Sequence, residues 1–335
     1  MAKIGVIGAG GWGLALAILL NNNGHEVKVW SVLESEIDML NETREHKKCL
    51  PGVIISDDIV FTKSLDETIP DADILVMAVA SPYTRSTANI IKPYVKDNQI
   101  IVNVSKGIEE DTLMTLSQIV KEVIPNSNVC VLSGPSHAEE VSRGVPTSVV
   151  VGANDKATAE FVQTTFMSKV FRVYISNDVL GICLGGALKN VIALAAGMAD
   201  GLGYGDNTKA ALITRGIAEI GRLGMKMGGK LETFSGLSGI GDLIVTCASM
   251  HSRNRRAGIL IGQGKTYEEA MDEVKMVVEG VYSAKASYAL AKKYDVSMPI
   301  VEQVNEILFN NKPASEAVMG LMLRDKTTEY NDCWS

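Results

Sequence analysis

A glycine-rich turn between a short apolar strand and an apolar helix limits the possible folds of this chain more than any other feature. Lys3–Ile7 has the pattern of a buried strand, and GAGGWG follows it directly at residues 8–13. In such a unit the first glycine allows a tight turn, the second lets backbone approach a pyrophosphate, and the third lets the helix pack closely on the strand. The helix N-terminus offers free N–H groups to phosphates. With a second strand at Glu26–Trp30, the pattern predicts a dinucleotide-binding unit built on Gly8, Gly10 and Gly13.

The residues after the second strand bear on the choice of cofactor. An acidic side chain there suits the ribose 2′-hydroxyl of NAD, whereas Arg or Lys suits the 2′-phosphate of NADP. Residues 31–36, SVLESE, include no basic residue, so the sequence favours NAD over NADP. Ser31 is compatible with either, and Lys28 or Arg44 folding inward would favour NADP. Glu34 and Glu36 fit a solvated helix start at least as well as a ribose contact.

Short apolar strands alternate with helical patterns through the first half of the chain. Strands are predicted at Ile74–Val79, Gln99–Val104, Val129–Leu132, Thr147–Val151 and Val170–Tyr174, with helices such as Arg85–Tyr94 and Asp111–Val123 between them. This alternation predicts an α/β, Rossmann-like, doubly wound sheet that is mostly parallel and covered on both faces. Ligands collect beyond the carboxyl ends of such strands, where the sequence has ASPY (80–83), SKG (105–107) and SGPSHA (133–138).

Strand patterns stop beyond Asn177, and the rest of the chain has helical patterns. Helices are predicted at Ala210–Leu223, Ser235–Ala248, Asn254–Ile261, Tyr267–Val274, Ser283–Lys293 and Pro299–Leu308. We therefore expect two domains: residues 1–177 as an NAD(P)-binding Rossmann domain and residues 178–335 as an all-helical substrate and catalytic domain.

The first helix of the expected helical domain, Val179–Ala199, is almost entirely apolar but has Lys189 and Asn190 at its centre. A buried ammonium is costly unless it is paired or neutralised. Lys189 therefore indicates a functional site that faces the cofactor cleft. The alternative is a side chain that reaches solvent from an ordinary core helix. The run is long enough to cross a membrane, but its central Lys-Asn pair and its small residues favour a packed helix.

Two loops of the expected sheet domain supply groups that suit a polar or anionic ligand. Lys106 follows the apolar strand IIVNVS, which carries its ammonium to the ligand side, although a loop lysine is usually solvated. The SGPSHA turn offers free N–H groups and the Ser136 hydroxyl at a helix start, where a plain N-cap is the alternative. His137 at such a position is more often structural than an acid–base group.

A basic cluster in the helical half suits a phosphate. In HSRNRR (251–256), Ser252 can cap a helix whose first turn presents Arg253 and Asn254 to a doubly charged group. The alternative is a solvated basic face. Upstream, a glycine-rich loop ends at Asp242, which could pair with a lysine or bind a substrate hydroxyl.

Charge and cysteine content restrict partners and location. The chain has 32 Lys and Arg against 39 Asp and Glu, a net charge of −7, which disfavours nonspecific binding to nucleic acid or anionic membranes. Cysteines and histidines are scattered without paired spacing, which predicts no metal site, no disulfide frame and a reducing compartment. The cysteines are Cys49, Cys130, Cys183, Cys247 and Cys333. An N-terminus without a secretory-signal pattern leads us to expect a cytoplasmic protein.

Ordered motifs along nearly the whole chain carry a family resemblance. They are GAGGWGLALA (8–17), VSKGI (104–108), SGPSHAEEV (133–141), GALKNVIALAAGMADGLGYGDNTKAALITRG (186–216), LSGIGDLIVTC (237–247), SRNRRAG (252–258) and VVEGV (277–281). In these motifs the chain resembles the bacterial-type NAD(P)-dependent sn-glycerol-3-phosphate dehydrogenases. The resemblance implies reversible hydride transfer between dihydroxyacetone phosphate and sn-glycerol 3-phosphate, which supplies the backbone of glycerophospholipids. A homodimer is an expected assembly.

The resemblance also implies residue roles. Lys189 matches the proton acceptor in oxidation and donor in reduction, and Lys106 matches a residue that contacts both cofactor and substrate. Substrate contacts are implied for Gly134, Ser136, Asp242, Ser252, Arg253 and Asn254. Cofactor contacts are implied for Gly11, Trp12, Ala138, Arg253, Val277 and Glu279. Many members carry His or Arg just after the Trp that ends the second strand, whereas this chain has Val32 and Leu33, which argues against a preference for NADP.

The residues support this chemistry independently of the family. Reduction of a ketone places negative charge on its oxygen, and a nearby ammonium both stabilises that charge and delivers a proton. A lysine with an unperturbed pKa of about 10.4 releases its proton with difficulty at neutral pH, but burial and a second cation lower that pKa. Lys106 and Arg253 are candidates for the second cation.

Two other functions fit the same sequence. One is another two-domain NAD(P)-dependent dehydrogenase that acts on a hydroxyacid or a phosphogluconate-type substrate. The other is a protein that senses NAD(P) without catalysis, which would need neither Lys189 nor the SRNRR cluster.

Overall fold

The computed structural model describes residues 1–329 of the chain, so Cys333 and the end of the expected helical domain lie outside the described residues. One sheet contains the strands β1 (Lys3–Ile7), β2 (Glu26–Trp30), β3 (Val60–Thr62), β4 (Ile74–Met77), β5 (Ile100–Asn103), β6 (Asn128–Ser133), β7 (Thr147–Gly152) and β8 (Phe171–Ser176). Their order across the sheet is β3-β2-β1-β4-β5-β6-β7-β8.

All neighbouring strands run parallel except β6 and β7, which are antiparallel. The connection from β6 to β7 contains only a four-residue helix, Ala138–Val141. It turns the chain back instead of carrying it across a face of the sheet, as a parallel crossover requires. The predicted mostly parallel, Rossmann-like sheet is confirmed.

The helices of the sheet half are α1 (Gly11–Asn22), α2 (Glu34–Thr43), α3 (Leu65–Thr68), α4 (Thr84–Ile91), α5 (Leu116–Val123), α6 (Ala138–Val141) and α7 (Lys156–Phe166). Side chains that alternate along a strand enter opposite layers. In β1, for example, Val6 belongs to the core that includes α1 and α7, whereas Ile7 belongs to the core that includes α4 and α5.

Helices make up the described chain beyond β8. They are α8 (Val179–Gly201), α9 (Asp206–Lys226), α10 (Leu231–Phe234), α11 (Asp242–Ala248), α12 (Arg253–Gly262), α13 (Tyr267–Val274), α14 (Glu279–Lys293), α15 (Pro299–Phe309) and α16 (Ala314–Met322). A π-helical turn, Leu237–Gly241, leads into α11.

Several predicted boundaries were wrong or incomplete. The predicted helix Asp111–Val123 begins only at Leu116, because Thr115 and Gln118 form a capping box that fixes its start. The predicted helix Ser235–Ala248 is α-helical only from Asp242, because Leu237–Gly241 before it forms a π-helical turn. The sequence analysis did not identify β3, α3, α7, α10 or α16, whose patterns are short or mixed in polarity, and of α2 it gave only a possible start at Glu34.

Helix α8 lies at the centre of the helical half and is buried along most of its length. By length and composition it could cross a membrane, but 83% of its most apolar window is buried within the protein. Glycines bring α12 unusually close to it: a Cβ on Gly258 would lie 2.2 Å from the Leu194 carbonyl oxygen, and a Cβ on Gly197 would lie 2.1 Å from the Arg255 carbonyl oxygen. This contact places the N-terminus of α12 beside the middle of α8.

Candidate active site

The glycine-rich turn after β1 forms an open cradle at the carboxyl end of the sheet. Gly8 has a φ of +112°, a conformation that side-chain-bearing residues rarely adopt. A Cβ on Gly13 would lie 2.2 Å from the Gly8 carbonyl oxygen, whereas a Cβ on Gly10 would meet nothing within 4 Å. Helix α1 begins at Gly11, and partly buried Trp12 packs against the core beneath it. The open backbone and helix start fit the pyrophosphate of a dinucleotide.

Two lysines from different parts of the fold share one carboxylate. Lys189, in the middle of α8, donates to Asp242 Oδ1 at 2.7 Å. Lys106, in the loop after β5, donates to Asp242 Oδ2 at 2.6 Å. Lys189 is only 5% exposed and Asp242 only 1%. The sequence analysis considered a lysine partner for Asp242, and the structure gives it two.

This arrangement changes the proton affinity of the buried groups. Burial lowers the pKa of Lys189 to about 8, with the charge of Asp242 opposing the shift and that of Lys106 adding to it. Lys106, one of the two candidate second cations, contributes to this shift. The charges of Lys106 and Lys189 hold the pKa of Asp242 below its usual value despite burial.

Thr246 also contacts Lys189, and the sequence analysis did not identify it as a site residue. Its hydroxyl accepts a hydrogen bond from Lys189 Nζ at 2.5 Å and donates to the Asp242 carbonyl at 2.6 Å. Asp242 and Thr246 are four residues apart on α11, so both face the same side of that helix. The four-residue spacing of Asp242 and Thr246 is the sequence signal from which Thr246 could have been predicted to lie beside Lys189.

The SGPSHA turn lies beside Lys106. Lys106 Nζ donates to the Gly134 carbonyl at 3.1 Å and is 3.4 Å from Ser136 Oγ. Ser136 donates its hydroxyl to the Gly134 carbonyl at 2.8 Å, and the residue that precedes α6 is His137. Ser136 is therefore not the helix cap that was the alternative explanation for this turn. Ala138 begins α6 and is partly buried.

His137 faces the helical half across the turn. Its ring centroid is 5.7 Å from that of His251, and its buried Nε2 has no hydrogen-bond partner within residues 1–329. Burial and the charge of Lys189 lower the pKa of His137.

The start of α12 carries the basic cluster. The Ser252 side chain accepts from the Arg255 N–H at 3.2 Å and caps the helix, as predicted. Arg255 points away and donates to Asp200 at 2.7 Å. Within the part of the chain that the structure describes, Arg253 has no salt bridge.

Asn254 is fixed by two neighbouring helices. Its amide donates to Asn190 Oδ1 at 2.9 Å, and its Oδ1 accepts from the Gly280 N–H at 2.8 Å. Asn190, next to Lys189, therefore helps to hold Asn254 in position. The sequence analysis noted Asn190 but assigned it no role.

Glu279 links the two halves at the other side of the cleft. Its carboxylate accepts hydrogen bonds from the backbone N–H and the hydroxyl of Ser81, which follows β4. Burial raises the pKa of Glu279. Ser81 lies in the ASPY stretch, although no role was predicted for it. Val277 is partly buried in the segment just before α14.

A glycine cradle for a dinucleotide, beside a buried lysine of lowered pKa on a separate helical half, defines a two-domain NAD(P)-dependent dehydrogenase. Comparison with known proteins agrees with this class. The family model described as NAD-dependent glycerol-3-phosphate dehydrogenase N-terminus matches residues 3–159, and that described as the C-terminus matches residues 178–319. The chain belongs to the NAD-dependent glycerol-3-phosphate dehydrogenase family and is an enzyme that takes NAD or NADP.

Individual relatives are similar over nearly their full length. A protein of Agathobacter rectalis named glycerol-3-phosphate dehydrogenase (NAD(P)+) is 65% identical over 99% of this chain and 98% of its own. A protein of Fusobacterium nucleatum with the same name is 60% identical over 98% of this chain and 99% of its own. The crystal structure of glycerol-3-phosphate dehydrogenase from Coxiella burnetii superposes with a TM-score of 0.93 at 33% identity, covering 96% of this chain and 99% of that one.

Proposed function

We propose that this enzyme interconverts sn-glycerol 3-phosphate and dihydroxyacetone phosphate, the activity that the names of its relatives indicate. The observation that carries the proposal is the buried Lys106–Asp242–Lys189 network beside the glycine cradle. Such a network suits a reaction in which one proton moves at a carbonyl oxygen.

Lys189 acts as proton donor in ketone reduction and as proton acceptor in alcohol oxidation. When bound, the nicotinamide cofactor supplies or takes the hydride. The Lys189 ammonium stabilises the negative charge that develops on the substrate oxygen and then delivers its proton there. Burial brings the pKa of Lys189 to about 8, so both of its protonation states are accessible near neutral pH. Asp242 and Thr246 orient the amine through the hydrogen bonds that it donates to them.

The phosphate of the substrate binds at the start of α12. Arg253 makes no salt bridge to a described carboxylate, and capping by Ser252 orients the first turn of the helix. Asn254 is held in place by Asn190 and Gly280. The proposed substrate contacts are Lys106, Gly134, Ser136, Lys189, Asp242, Ser252, Arg253 and Asn254.

The cofactor lies along the glycine cradle and reaches the cleft near Glu279. The proposed contacts are Gly8, Gly10, Gly11, Trp12, Gly13, Lys106, Ala138, Arg253, Val277 and Glu279. The absence of a basic residue in segment 31–36 supports NAD over NADP. Lys28 donates to the Glu67 carbonyl and Arg44 pairs with Asp57, so both basic alternatives have other partners.

We retain residues 1–177 as the cofactor domain and residues 178–335 as the substrate domain. The acidic net charge supports a small-molecule substrate with no nucleic-acid partner and no membrane insertion. We further propose that the enzyme is a cytoplasmic homodimer without a bound metal. It supplies glycerol 3-phosphate for glycerophospholipid synthesis.

The test is a spectrophotometric assay of NADH or NADPH formation with sn-glycerol 3-phosphate, a 3-hydroxy acid and a phosphogluconate as parallel substrates. Turnover with sn-glycerol 3-phosphate is expected. Turnover confined to either of the other substrates would point instead to a hydroxyacid or phosphogluconate-type dehydrogenase. Cofactor binding without any turnover would point to a sensor.

A further inference from the structure

The groups that hold Lys189 give its proton no route to solvent. Lys189 donates hydrogen bonds to Asp242 and Thr246, which are only 1% and 4% exposed. Asp242 also accepts from Lys106 and stays ionised between the two ammonium groups, so it is a poor proton acceptor. The Thr246 hydroxyl already donates to the Asp242 carbonyl. In the proposed reaction, however, each turnover requires Lys189 to exchange one proton with water.

A pair of histidines joins the two halves of the protein near Lys189. His137 precedes α6 in the sheet half, and His251 lies between α11 and α12 in the helical half. Their ring centroids are 5.7 Å apart. The charge of Lys189 reaches His137 and lowers its pKa, whereas the His251 side chain is 52% exposed, with Nδ1 3.8 Å from Glu139 Oε1. The pair therefore extends from the neighbourhood of the buried amine to solvent.

One nitrogen of His137 is buried without a use in the fold. Its Nε2 has no hydrogen-bond partner within residues 1–329. Buried polar groups in folded proteins nearly always have a partner, and a histidine with a structural role would use this nitrogen in a hydrogen bond. The sequence pattern favoured such a structural role for His137. The orphaned nitrogen instead indicates a group that handles a proton.

The charges around His137 leave it neutral near pH 7 and able to accept a proton. Burial lowers its pKa most, and the charges of Lys189 on α8 and of His251 before α12 act in the same direction. Glu139 and Glu140 on α6 oppose the shift. A neutral imidazole can release a proton from one ring nitrogen while it accepts one at the other.

We propose that His137 relays the proton that Lys189 exchanges with solvent, and that His251 forms the outer step of the same path. The proposal rests on the proposed function, in which Lys189 is the proton donor and acceptor. Because the described hydrogen bonds of the Lys189 amine go to Asp242 and Thr246, water carries the proton between the amine and the imidazole.

The protons balance in both directions of the reaction. In reduction, the Lys189 ammonium gives one proton to the substrate oxygen and becomes a neutral amine. His137 then gives one ring proton inward, which restores the ammonium, and takes one proton on its other nitrogen from His251 or solvent. In oxidation each of these transfers runs in reverse, so one proton leaves to solvent.

The experiment separates the first turnover from later ones. Full-length protein saturated with NADH is mixed rapidly with dihydroxyacetone phosphate near neutral pH, where Lys189 starts protonated, and NADH absorbance is followed. In His137→Gln we expect the first turnover at the rate of the unmodified protein and later turnovers about 10-fold slower. This loss is smaller than that of a direct general acid, because water still exchanges protons slowly.

The glutamine variant distinguishes a relay from a structural role. Glutamine keeps a hydrogen-bonding side chain but cannot pass a proton near neutral pH. With a structural role, His137→Gln would behave as the unmodified protein or would slow the first turnover as much as the later ones; either result would overturn the inference. Lys189→Ala marks the contrast, since loss of the donor itself removes the first turnover too.

His137→Ala provides a second variant if His137→Gln does not fold. It should also turn over slowly after a normal first turnover, and added imidazole should restore the steady rate, because free imidazole can enter the space left by the side chain. Imidazole should not restore Lys189→Ala. Absence of rescue in a His137→Ala protein that binds NADH normally would count against the relay.

His251→Gln is the control at the surface end of the path. Its half-exposed position lets bulk water take over, so steady turnover should change little, and a larger loss than in His137→Gln would contradict the inner position of His137. If the unmodified protein does not reduce dihydroxyacetone phosphate, the proposed function itself fails. If it does and the variants respond otherwise, only the proton path fails.

Discussion

Lys106 and Lys189 bind opposite oxygens of the same buried carboxylate, at 2.6 Å and 2.7 Å respectively from Asp242. Lys106 comes from the sheet and Lys189 from the central helix of the other half. The carboxylate therefore fixes the Lys189 amine and connects the two halves, while the charge of Lys106 makes it harder for Lys189 to stay protonated.

Removal of the Lys189 amine should abolish turnover without loss of cofactor binding. Lys189→Ala is expected to lower kcat by about 100-fold or more, the usual effect of losing a general acid or base, with an unchanged dissociation constant for NADH. Initial rates and nucleotide titration measure the two quantities. The control is Lys226→Ala at the exposed end of α9, which should behave as the unmodified protein. Normal turnover in Lys189→Ala would remove its catalytic role.

Removal of the Arg253 guanidinium should weaken substrate binding selectively. Arg253→Ala is expected to raise KM for dihydroxyacetone phosphate by about 10- to 100-fold, because a charged hydrogen bond to phosphate is lost, and to raise KM for the cofactor much less. Exposed Arg256 on the same helix provides the control variant Arg256→Ala, with little effect on either constant. Small and equal effects from both variants would indicate that Arg253 belongs to a solvated face.

The two directions of the reaction should have opposite pH profiles. Reduction needs the Lys189 ammonium and oxidation needs the neutral amine. With the pKa of Lys189 at about 8, kcat for reduction should fall and kcat for oxidation should rise as the pH increases through that value. Initial kcat values measured in both directions at saturating substrate provide the test. Profiles that rise or fall together would contradict the assignment.

A buried carboxylate in the helical half should make stability depend on pH. Glu219 accepts from the backbone N–H groups of Ile300 at 2.8 Å and Val301 at 3.3 Å, and burial raises its pKa to about 7. The folded state therefore binds a proton that the unfolded chain releases near the ordinary glutamate pKa of 4.5, so this contribution to stability is lost as the pH rises from 4.5 to about 7.

Glu219→Gln keeps an oxygen acceptor but cannot ionise. We expect it to flatten the pH dependence of Tm over that interval and to raise Tm at pH 8, by roughly 2–4 °C per kcal/mol gained. Thermal unfolding followed by circular dichroism at several pH values measures this. A parallel pH dependence in both proteins would show that Glu219 does not titrate as described.

The close crossing of α8 and α12 should not tolerate a methyl group. Gly258→Ala would place a Cβ 2.2 Å from the Leu194 carbonyl oxygen, so the helices must separate, at a cost of about 1–3 kcal/mol. Gly221→Ala is the matched control, since a Cβ there meets nothing within 4 Å and alanine favours a helix by about 1 kcal/mol. Denaturant unfolding of both variants should give changes of opposite sign; equal stability would refute the steric argument.

Much of the fold could be predicted from the sequence because its signals are local. The glycine turn after β1, the capping of α12 by Ser252 and the apolar alternation of the central strands all depend on residues close in the chain. Short β3 and the start of α5 could not be placed from periodicity. β3 pairs with β2 only in the assembled sheet, whereas the start of α5 follows from a local capping box between Thr115 and Gln118 that the sequence analysis did not use.

The candidate site likewise combines features that the sequence predicts with features that only the tertiary structure shows. The sequence by itself determined that a lysine lies in the middle of an apolar helix and that a basic cluster lies at the start of another helix, because each feature is contained in a single segment of the chain. Only the tertiary structure decided that Asp242 holds Lys106 and Lys189 together, that Thr246 supports the amine, and that Ser81 meets Glu279. Those partners are far apart in the chain, and their contacts exist only where packing removes water and brings opposite charges within hydrogen-bond distance.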